Sequence, residues 1–110
     1  METALDKLKR ITAWDAEPTL SEDDLDAILA VAALVDIDGL VPSDEEWKPT
    51  YDLNAAAASA WLVKAARAST LTEVDPPESG IFTSKVFDNC RAMARIYAAK
   101  RNASMSLNTG

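Results

Sequence analysis

Carboxylates are the abundant reactive groups of this chain: 18 Asp and Glu stand against 11 Lys and Arg, with no histidine and one cysteine, Cys90. Paired carboxylates move protons when an apolar pocket raises the pKa of one of them. No pair among the 18 is set apart by its neighbours. The run Asp36-Ile37-Asp38-Gly39 has the opening of a calcium loop, but an EF-hand needs an oxygen ligand at the fifth position and glycine at the sixth. Leu40 and Val41 stand there, so the run reads as a solvated turn. Asp44, Glu45 and Glu46 could join it in a weak metal patch; helix capping and solvation explain them equally well. Cys90 lies at helical spacing from Phe87, Ala94 and Tyr97, which makes it a packing residue rather than a nucleophile. Without histidine there is no Ser-His-Asp or Cys-His catalysis and no histidine-ligated zinc, and one cysteine allows no internal disulfide. Gly39, Gly80 and Gly110, the three glycines, build no phosphate-cradling loop. The chemistry reads as non-enzymatic, with no catalytic residue, no cofactor and no metal.

The elements that position these residues are helical. At 110 residues the chain is one small domain, which hides only about 65% of its unfolded surface and must use its core sparingly. Twenty alanines against 3 glycines favour helix over sheet. Thr3 is a cap with Asp6 in capping-box position, and Leu5, Leu8, Ile11 and Trp14 form one stripe. Pro18 closes that helix. Ser21, followed by Glu22, Asp23 and Asp24, opens a second, with Leu25, Ile28, Leu29 and Ala32 as its buried face, running out near Val35. In the connection over 40–51, the spacing of Ser43 and Glu46 predicts one helical turn at Asp44–Lys48, and Trp47 plugs the core.

Asp52 caps a third helix reaching about Ser69. Its stretch Ala55–Val63 is apolar all round, the mark of a helix buried on more than one side. From Thr70 to Thr83, the apolar arms Leu71, Val74, Ile81 and Phe82 flank Asp75-Pro76-Pro77-Glu78-Ser79-Gly80, which predicts a short β-hairpin or an extended loop that pairs on assembly. Ser84 caps the last helix, to about Arg101, with Phe87, Cys90, Ala94 and Tyr97 inward, widened by Val86 and Met93. Asp88, Arg91 and Arg95 lie opposite, Asp88 and Arg91 spaced to pair. The polar, uncharged tail 102–110 reads as disordered in the free protein. The fold class is therefore mainly α: a small bundle of about four helices, a short β-hairpin between the last two long ones, and a flexible C-terminal tail.

Net charge is −7 and unevenly spread: residues 1–52 hold 14 acids and 4 bases, 53–110 hold 4 acids and 7 bases. So acidic a chain is a poor general binder of phosphate backbones. Solubility and helix-dipole bias account for the split, and it also suits head-to-tail contact between copies. Lys100 and Arg101 favour a helix C-terminus electrostatically; with Lys85, Arg91 and Arg95 they could equally face a partner. No convincing helix-turn-helix accompanies them. The apolar run Ile28–Val35 is far short of the ~20 residues that span a bilayer. Charges interrupt every apolar run near the N-terminus, so the expectation is no signal peptide, no membrane, and synthesis in the cytoplasm.

The stretch Tyr51–Arg101 resembles the small head–tail connector (head-completion, or adaptor) proteins of tailed bacteriophages. The resemblance rests on Tyr51-Asp52-Leu53-Asn54-Ala55-Ala56-Ala57, on Trp61, Lys64 and Ala65 of the same helix, and on Ser84, Phe87, Cys90, Met93, Ala94 and Tyr97, closed by Lys100-Arg101. It covers about half the chain, and its residues are packing residues rather than a catalytic signature. It implies a structural virion protein, made in the bacterial host cytoplasm and placed in the neck, with residues 1–101 as a single helical connector domain. Its copies would form a ring, commonly of twelve, on the portal protein at the capsid vertex. The ring extends the channel through which DNA passes without specific binding, and docks the next neck or tail protein. The resemblance also implies that the tail clasps the portal, which makes Asn102, Ser104, Met105, Leu107 and Asn108 the candidate portal-binding residues. Trp61, Phe87, Cys90 and Tyr97 are the core. A different reading of the same composition is a small acidic helical regulatory or antitoxin-like protein that neutralises one basic partner.

Overall fold

The computed structural model describes residues 2–74 and 77–101, the side chains of 71–84 excepted. Among these it is mainly α, with helices α1 (Ala4–Ile11), α2 (Glu22–Val31), α3 (Leu53–Val74) and α4 (Pro77–Lys100). Both short helices start on complete capping boxes. The Thr3 hydroxyl accepts the Asp6 N–H at 3.0 Å while the Asp6 carboxylate accepts the Thr3 N–H at 3.2 Å. Ser21 and Asp24 repeat the exchange at 3.0 and 2.8 Å. At the head of α3 the Asp52 carboxylate accepts the Ala55 N–H at 3.0 Å, as the sequence predicts.

α3 is the centre of the molecule. α4 lies along it, and α1 and α2 pack on it and on each other. The alanines make this possible: Ala56, Ala57, Ala60, Ala65 and Ala68 are all buried, so neighbours approach α3 from two sides. Leu8 of α1, Leu25 and Leu29 of α2, Trp61 of α3, and Cys90 and Ala94 of α4 close the core between them. What remains of α3 is a solvent-facing strip containing Ser59, Leu62 and Ala66.

The β-hairpin expected over 70–83 is corrected. Residues 71–74 continue α3, and 77–83 belong to α4, which therefore begins seven residues before the expected cap at Ser84. Proline opens α4 at its first position, where the missing N–H has no intrahelical partner to lose. Packing of two long helices against each other outweighs the weak local preference of Val74, Ile81 and Thr83 for extended backbone.

Two smaller expectations also change. α2 stops at Val31, because Ala33 pairs with Tyr51 as an isolated antiparallel bridge; the Leu34 N–H reaches the Thr50 carbonyl at 2.8 Å and the Asp52 N–H reaches that of Ala32 at 2.9 Å. The helical turn at 44–48 is instead a pair of turns, in which the Asp44 carboxylate accepts the Glu46 N–H at 2.8 Å. Trp47 pins this loop rather than plugging the core. Its indole N–H donates to the Leu34 carbonyl at 2.8 Å, and its ring stands edge-on to Tyr51, centroids 5.7 Å apart.

Candidate functional site

The acidic turn at 36–39 is closed around its own carboxylate. Asp36 is buried, and its two oxygens accept the N–H groups of Asp38, Leu40 and Lys48, each at 2.9 Å. The Lys48 N–H foremost, then those of Leu40 and Asp38, hold its pKa below the ordinary value against the opposing effect of burial. The turn also needs Gly39, whose φ of +82° suits glycine. Asp38 pairs with the Lys48 ammonium at 3.1 Å. Among the described residues no three Cys, Asp or Glu side chains stand together as a metal-holding cluster.

The densest polar contacts lie where α3 meets the loop that follows α1. Trp61, Lys64 and Arg67 stand three apart, so they share one face of α3. The Trp61 indole donates to the Ile11 carbonyl at 3.2 Å. The Lys64 ammonium donates to the carbonyls of Ala13 at 2.6 Å and Ala16 at 3.0 Å. Arg67 donates to the Thr19 carbonyl at 2.9 Å and to the Asp24 carboxylate at 3.0 Å. Three side chains thus satisfy backbone acceptors along the loop 11–19, beside backbone bonds such as that of the Ala16 N–H to the Ala13 carbonyl at 3.0 Å. Ala13, held there by Lys64, is in the left-handed region at φ 46°, where a non-glycine residue needs outside support.

Lys64 is the feature that the spacing Trp-x-x-Lys does not reveal. Only 1% of it is exposed. Its ammonium sits 4.9 Å from the Trp61 ring centroid, a cation–π placement that favours the charged form. Burial lowers its pKa, partly opposed by Cys90, Asp15 and Glu17. Cys90, 2% exposed, is pushed the other way by burial, so its thiol is held protonated and packed.

Of the four core residues named from the sequence, Trp61 and Cys90 are buried, and Phe87 and Tyr97 are partly buried against the same cluster. The candidate portal-binding residues Asn102, Ser104, Met105, Leu107 and Asn108 lie outside the described residues. The expected Asp88–Arg91 pair is not made: the Arg91 guanidinium lies over the Phe87 ring, 5.8 Å from its centroid.

The outer seam of the α3–α4 pair is a shallow groove of about 150 Å³ lined by Ala58, Leu62, Arg91, Ala94, Arg95 and Ala98. Leu62 is 55% exposed in it, and no described carboxylate pairs with either arginine. Sequence reasoning placed the two arginines on an outer helix face but did not join them to Leu62, since that requires the register of α3 against α4. No helix among the described residues is long and apolar enough to cross a membrane. No protein-family model, no curated protein and no solved structure matches the chain.

Proposed function

We propose that this chain is a structural head–tail connector protein of a tailed bacteriophage, whose copies form a ring on the portal, extend the DNA channel and dock the next neck or tail component. One observation carries the reading. Trp61, Ala65, Phe87, Cys90, Met93, Ala94 and Tyr97, which bear the resemblance to that family, share one continuous core between α3 and α4.

Charge supports the same reading. A wall with a net charge of −7 per copy repels phosphate, so a duplex slides along it without sticking. In this reading the tail 102–110 supplies the contact to the portal. The alternative, an acidic regulatory or antitoxin-like binder, draws on Asp44, Glu45 and Glu46, which pair with no described cation.

Electron microscopy of the protein mixed with the portal ring of the same phage separates the two. An added annulus of density on the outer end of the portal is the expected result and gives the copy number directly. A bare portal, together with a one-to-one complex of this chain and a basic partner, would favour the regulatory reading.

A further inference from the structure

Two exposed apolar surfaces of opposite charge stand on this molecule, and neither is covered by its own described residues. The first follows α2. Val31 is 88% exposed and Ile37 91%, with Val35 and Val41 about half exposed. Next to Val41, whose carbonyl accepts the Asp44 N–H at 2.9 Å, come Asp44, Glu45 and Glu46 without a described cation, while Asp36 and Asp38 are already engaged. The second is the α3–α4 groove, with its buried alanines Ala58 and Ala94, its exposed Leu62, and Arg91 and Arg95 alongside. Small side chains let an apolar side chain approach the helix backbones closely, while the arginines favour a carboxylate-bearing visitor.

We infer that the groove between α3 and α4 receives the acidic, apolar 31–46 surface of a second copy of this chain. The charges choose the occupant. The segment 102–110 carries no acidic side chain to match the two arginine charges. The 31–46 surface carries both the valine and isoleucine side chains and the carboxylates that the groove calls for. Because the two patches differ, the contact is heterologous: each added copy leaves one of each open, and the array closes as a ring or grows as a filament. The inference deepens the ring half of the proposed function and rests on it for closure.

Charge exchange tests it on the full chain. Arg91→Glu with Arg95→Glu makes both patches acidic; Glu45→Arg with Glu46→Arg makes both basic, and leaves Asp44 to hold its turn. All four positions are exposed, so circular dichroism and melting should stay close to the parent. Sedimentation velocity should show the parent chain associating, and each variant alone weaker by about 100-fold or more, since like charges face each other. An equimolar mixture of the two variants should associate again, because every contact then joins opposite charges. Association of the parent should weaken towards about 1 M salt, where the Debye length shrinks to about 3 Å. Leu62→Glu should weaken it without changing helicity.

A parent chain that stays monomeric at every concentration overturns the inference, as does a mixture that behaves like its separate components. Portal binding distinguishes this failure from that of the connector reading. A monomer that still adds density to the portal sinks the groove contact alone; association without portal density sinks the connector alone.

Discussion

Trp61 and Lys64 show how one pair of side chains fixes a helix onto a loop. Trp61 fills the centre of the core and also donates to the Ile11 carbonyl, so Trp61→Ala removes packing and a hydrogen bond together. A loss of about 3–5 kcal/mol in urea unfolding is expected; a stable variant that no longer assembles would instead place Trp61 at a subunit contact. Lys64→Met keeps the length of the side chain and relieves the desolvation, but removes the ammonium bonds to the carbonyls of Ala13, which retains the Ala16 N–H, and Ala16. The bonds lost are charge-assisted, so destabilisation by about 1–3 kcal/mol is expected, read from the same unfolding curves. An unchanged midpoint would show that water replaces the ammonium at no cost. Asp24 sets a pH dependence. Its bond from Arg67 above all, then those from Ser21, lower its pKa from 3.8 to about 2. A depressed carboxylate stabilises the fold above the unfolded value, and that contribution fades as pH falls from about 4 towards 2. Melting temperature should fall through this window, with a shallower slope in Asp24→Asn.

At the scale of elements, legibility follows the range of the interactions. The caps at Thr3, Ser21 and Asp52 are local, three residues from donor to acceptor, and the sequence specifies them. Ser21→Ala should accordingly cost about 1 kcal/mol, measurable as a drop in the unfolding midpoint. The end of α2 depends on Ala33 meeting Tyr51, and the burial of Lys64 on carbonyls 48 and 51 residues away. No local pattern encodes either contact. The hairpin reading failed for a related reason. Adjacent prolines, a nearby glycine and β-branched arms are the marks of a turn between strands, yet proline is equally at home on the first turn of a helix. Backbone chemical shifts provide the check: residues 71–74 and 77–83 should give downfield, helical Cα shifts, and upfield, strand-like values there would overturn the helices. The groove of Leu62, Arg91 and Arg95 was half legible, since the arginines were placed outward but their neighbour on α3 was not.

The whole molecule is long rather than round, 54 × 32 × 23 Å, with α3 and α4 side by side and α1 and α2 flanking α3. An elongated subunit with unlike surfaces suits a wall built of neighbours, and α4 ends at Lys100 with nine further residues beyond Arg101. On the connector reading, residues 102–110 make the contact to the portal. Deleting residues 102–110 should then abolish attachment to the portal while helicity and melting temperature stay those of the full chain. Sedimentation of the truncated protein should also retain the self-association assigned to the α3–α4 groove, because that contact uses none of the deleted residues. Retained portal binding would move the docking surface onto the helices, and loss of melting stability would assign the tail to the fold of the subunit itself.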